Sequence, residues 1–62
     1  MKAFFPIIKR TGEAAYIEIY EATITAEGTT SKFITGYETA SKGATRSARK
    51  TIKEFEAAKE EN

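Results

Sequence analysis

The chain has 62 residues, ten basic and nine acidic side chains for a net charge of +1, and no Cys, His or Asp. That excludes disulfides and metal sites built on thiolate or imidazole, and it removes the common general bases, thiol nucleophiles and triads. A domain this short buries only about 60% of its unfolded surface, so extra burial must come from elsewhere, self-association being the usual source once staples are absent.

At 40% hydrophobic and 31% charged residues, the composition is that of one folded domain over 1–62. No apolar run nears the ~20 residues a membrane-spanning helix needs. The opening MKAFFPIIKR is interrupted by Pro6 and ends at Lys9-Arg10 without a small-residue cleavage site, so a cytoplasmic protein is expected rather than an exported one.

Residues 3–9 are dense in Phe4, Phe5, Ile7 and Ile8 and read as a first strand. Pro6 cannot donate to a ladder, which places this strand at a sheet edge. Thr11-Gly12-Glu13 is a turn signal. Residues 14–25 carry the clearest alternation, with Tyr16, Glu18 and Tyr20 on one face and Ile17 and Ile19 on the other, as befits a central strand.

Residues 26–30 read as a hairpin loop and 31–37 as a third strand ending at Gly36. The expected sheet is a three-stranded antiparallel meander. A helix over 40–58 follows, with Thr39 as its N-cap or Ser41 as the alternative, and 59–62 form a tail. At 3.6 residues per turn, Ala40, Ala44, Ala48, Thr51, Ile52, Phe55 and Ala58 share the face that docks on the sheet. Gly43 fits this helix through a tight approach to the sheet, or else the helix starts later. The predicted class is α+β, a βββα domain.

Two surfaces suggest function. The first is the segment 42–53, which holds Lys42, Arg46, Arg49, Lys50 and Lys53 and no acid. It carries +5, against −1 for residues 1–41 and −3 for 54–62. Lys42–Arg46, Arg46–Lys50 and Arg49–Lys53 are like-charge pairs at i,i+4, each unfavourable by about 0.2–0.5 kcal/mol. A solvated helix face is the plain explanation. The segregation of charge favours a site for phosphate or for an acidic protein surface.

The second surface is the sheet. Phe4 and Ile8 oppose Phe5 and Ile7, and Tyr16, Tyr20 and Ile24 oppose Ile17 and Ile19, whereas one helix covers only one face. A homodimer, formed sheet to sheet or edge to edge through Phe4, Tyr16 and Tyr20, is expected.

The residues Gly36, Tyr37, Thr39, Ala44 and Ala48 resemble the close of the small YegP-like repeat domain, and also the AP2 and integrase amino-terminal three-stranded-sheet domains. The helix alanines are shifted by about one place from either pattern. Glu27-Gly28 stands where the YegP-like turn has Asn-Gly. The AP2 resemblance implies DNA reading through Arg and Trp on the sheet; this sheet offers Tyr16, Glu18 and Tyr20, and a carboxylate beside phosphate is repelled.

Glu18 and Glu21 face opposite sides of a strand, and the glycines at 12, 28, 36 and 43 form no phosphate loop, so neither an enzyme nor a cofactor or metal is expected. The expectation is a non-enzymatic module binding a protein with an acidic surface, such as an accessory or inhibitory protein of a phage or mobile element. The alternative is a nucleic-acid-binding protein that places the basic stripe on phosphates and stacks Tyr16 and Tyr20 on bases.

Overall fold

A computed structural model describes residues 2–60. It shows three strands and one helix in the order β1 (Lys2–Thr11), β2 (Ala14–Thr25), β3 (Gly28–Ala40) and α1 (Ala44–Glu60). The strands form an open antiparallel sheet in the order β1-β2-β3. The α+β, βββα architecture is therefore the observed one, with β1 at an edge and β2 central. Two-residue turns at Gly12-Glu13 and Ala26-Glu27 join the strands. The Thr25 hydroxyl closes the second turn, donating to Gly28 O at 3.2 Å and accepting from Glu27 N at 3.3 Å.

Direct cross-strand pairs share a face. Ile8↔Ile17, Ile17↔Tyr37, Ile19↔Thr35 and Ala15↔Thr39 therefore line the side that α1 covers. Ala15, Ile17, Ile19, Ala44 and Ala48 form the buried core, and Phe4, Ile8, Tyr37, Ile52 and Phe55 pack around it. Small side chains at Ala15, Ala44 and Ala48 let the first half of α1 approach the sheet closely. At the other end Phe4 and Phe55 stack, ring centroids 5.7 Å apart, and fill the wider gap.

β3 is longer than the expected 31–37, and α1 starts four residues later than expected. Ala14 and Ala15 remain available as ladder partners for Ala40 and Thr39, so β3 pairs on past Gly36. Thr39 thus lies inside the strand, and Gly43 takes the N-cap place, its carbonyl accepting from Ser47 N at 3.0 Å. With φ at +100°, Gly43 adopts a backbone that side chains with a Cβ rarely tolerate. Ser41 serves through its backbone: its N–H donates to Glu13 O at 2.7 Å, and its carbonyl accepts from Ala44 N at 3.3 Å. The helix extends to Glu60, so the expected tail at 59–62 begins as helix, and its last two residues lie outside the described part.

A register shift opposite Ile19 and Tyr20 leaves Ile34 as one extra residue on β3. This is a β-bulge. Plain alternation would put Phe33 on the covered side with Tyr37 and Thr35; the bulge turns Phe33 to the open side, opposite Tyr20.

Candidate functional site: an open aromatic sheet face and a cationic helix face

Among the described residues, nothing covers the side of the sheet away from α1. Phe5 stacks on Tyr20 with centroids 5.5 Å apart, and Phe33 meets Tyr20 edge-on at 5.7 Å. Each strand supplies one ring, aligned by the pairs Phe5↔Tyr20 and Tyr20↔Phe33. Around them Ile7, Tyr16, Ile24 and Phe33 are the exposed large apolar side chains, Phe33 the most so at 50%.

Tyr16 leans across β3 over Gly36, where an added Cβ would lie 2.8 Å from the Tyr16 ring carbon Cζ. Gly36 therefore marks the close passage of an aromatic ring rather than a strand end. The expected self-association residues divide on this geometry. Tyr16 and Tyr20 are on the open face, whereas Phe4 stacks on Phe55 beneath the helix. In β1 the period of two sends neighbours to opposite sides, and the aromatic left over for an interface is Phe5.

Charge on the open face gathers at one end. Lys9 and Glu18 form an ion pair at 3.4 Å, and Glu38 stands opposite Tyr16. From the three rings to the β2–β3 turn, the open-face positions Ala3, Ala22, Ile24, Thr29 and Ser31 carry no charge. Glu21 belongs to the covered side, where it meets Lys2 at 4.0 Å, so Glu18 and Glu21 make no dyad.

The cationic surface lies behind the helix. Arg46, Arg49, Lys50 and Lys53 are all exposed, and at about 100° per residue they centre half a turn from the buried Ala44 and Ala48. Lys42 departs from expectation: it sits in the turn before α1, also exposed, so Lys42–Arg46 is not an i,i+4 helical pair. Among the described residues none of these five takes part in an ion pair. The first helical turn contains no acid, and Arg46 sits there against the helix dipole. Glu54 and Glu56 flank the stripe one turn later.

Side chains lock this helix in place. Thr51 Oγ1 donates to Ser47 O at 3.0 Å, and Tyr37 OH lies 2.8 Å from Thr51 Oγ1 and 3.1 Å from Ser47 Oγ. A hydroxyl has one proton, so Tyr37 donates to Thr51 and accepts from Ser47. Arg10 Nη2 also donates to Thr45 Oγ1 at 3.2 Å, tying the first hairpin to the start of α1. Local spacing gave Tyr37 no such role, because its pairing with Ser47 and Thr51 depends on how α1 lies across β3.

No protein-family model, curated protein or solved structure matches this chain. Its chemistry is accordingly read from its surfaces. No helix among the described residues is long and apolar enough to cross a membrane, and no group of three or more potential metal ligands gathers there. A shallow hollow of about 260 Å³ at the β2–β3 turn is lined by Thr25, Glu27, Gly28, Thr29 and Thr30, which bring one carboxylate and three hydroxyls to it.

Proposed function

We propose that the chain is a small non-enzymatic interaction module of the cytoplasm that binds another protein, its cationic helix face meeting an acidic surface. The observation that carries this reading is the set Arg46, Arg49, Lys50 and Lys53, exposed behind the packed face and joined to no acid among the described residues. The four span eight residues, about 10 Å of helix, and carboxylates at Glu54 and Glu56 flank their far end. A compact acidic patch fits between those limits. A nucleic-acid backbone, which continues past them, would run into the carboxylates.

The same cations support nucleic acid as a second reading, and one comparison separates the two. Wild type and an Arg46→Glu/Arg49→Glu double variant are presented as baits to a lysate, and both are titrated with labelled single- and double-stranded DNA and RNA over a salt series. The expected result is an acidic protein retained at low salt by wild type alone, with no anisotropy change for the nucleic acids. Nucleic-acid binding that weakens steeply with salt and vanishes in the double variant replaces the protein partner with phosphate.

A further inference from the structure

We infer that the open sheet face is covered by a second copy of this chain, packed face to face about a two-fold axis that crosses the strands, with both helices outside. The inference is independent of what binds the helix.

Surface area is the first argument. The accessible surface is 4754 Å², whereas a folded monomer of 6.9 kDa has about 4,000 Å². The excess, roughly 750 Å², is close to the ~800 Å² that each partner contributes to a standard interface. The sheet can supply it, since the molecule measures 40 × 26 × 14 Å. The small core is in keeping with it: among the described residues, Ile17 and Ile19 are the large side chains buried completely. A partner needed for folding must be present wherever the chain is, and a second copy meets that condition.

The arrangement follows from the edges and the charges. Both sheet edges resist strand addition: β1 carries Pro6, without an N–H, and β3 is bent by the bulge at Ile34. Face-to-face packing remains. Lys9, Glu18 and Glu38 occupy one end of the open face, and an axis across the strands lays one charge-free half on the other while sending these charged ends to opposite rims in water. Ala22 then lies nearest the axis, and Tyr20 and Phe33 of each protomer reach the row of Ile24 and Thr29 on the other, the reciprocal contact that a two-fold interface makes.

This geometry also sets where the cationic faces point. With each protomer 14 Å thick and packed sheets ~10 Å apart, the outer surfaces of the two helices are about 40 Å apart and face in opposite directions. The dimer is thus a bridge between two acidic ligands rather than one broad cationic plate.

Sedimentation equilibrium across a concentration series tests the dimer. Wild type is expected at twice 6.9 kDa at tens of micromolar, with a melting temperature that rises with concentration. Phe33→Glu is expected at the mass of one chain, folded or not. A single-chain mass for wild type, or an unchanged dimer in Phe33→Glu, overturns the proposal. The chain has no cysteine, so Ala57→Cys, on the exposed side of α1, takes one spin label per protomer. A label separation of about 40 Å or more is expected, and one below about 25 Å overturns the face-to-face arrangement.

Discussion

Tyr37 joins the two layers with directed hydrogen bonds. Its hydroxyl donates to Thr51, whose own proton is committed to Ser47 O. Tyr37→Phe keeps the ring in the core and removes both contacts, leaving Thr51 Oγ1 short of a donor and Ser47 Oγ short of an acceptor. The expected loss is about 1–2 kcal/mol, read as a lower urea midpoint at unchanged m-value. Thr51→Val in the Tyr37→Phe background should add little, because the two groups act as one unit. The neighbouring Gly36 behaves differently. An alanine there meets only the outer end of the Tyr16 ring, which has open solvent to move into.

At the scale of elements, α1 sacrifices stability along its outer face. Arg46–Lys50 and Arg49–Lys53 repel at i,i+4, and Arg46 opposes the dipole in a first turn that contains no acid. Arg46→Glu reverses both effects and is expected to raise stability by about 0.5–1 kcal/mol, measured as a higher denaturation midpoint, while weakening the binding proposed for this face. Greater stability with weaker binding marks a face kept for its ligand. A lower midpoint would mean that Arg46 makes a structural contact.

The same element shows how far sequence reading reaches. The docking face was legible because Ala44, Ala48, Ile52 and Phe55 recur at helical spacing, and the two faces of β2 because alternation there is unbroken. The start of α1 was not legible. The choice between strand and helix for 38–40 was decided by free ladder positions on β2, a partner that local propensity does not contain. Lys42 fell outside the helix for the same reason. Phe33 was missed as a surface residue because nothing about Ile34 announces an unpaired position. Phe4 and Phe5 were correctly placed on opposite sides of β1, but which side the helix takes depends on where α1 lands.

For the molecule as a whole, the core is narrow. Net stability for a chain this long is on the order of 3–9 kcal/mol, and removing a fully buried Ile side chain to Ala loses about 2–5. Ile17→Ala is therefore expected to remove a large share of the stability, read as a much lower urea midpoint for the loss of far-ultraviolet circular dichroism. Phe55→Ala, at the half-buried end of the helix, should retain the fold with a lower midpoint.

The single extra residue in β3 has an evolutionary consequence. Deleting the codon for Ile34 would leave Phe33 opposite Tyr20 and Thr35 opposite Ile19, so every remaining side chain would keep its face. What would change is the rim of the sheet, which would become a straight run of backbone donors and acceptors able to template further chains into a ribbon. One codon thus stands between a bent edge that resists strand addition and a straight one that invites it. Purifying selection at position 34 should accordingly act against loss of the residue more strongly than against exchange of its side chain.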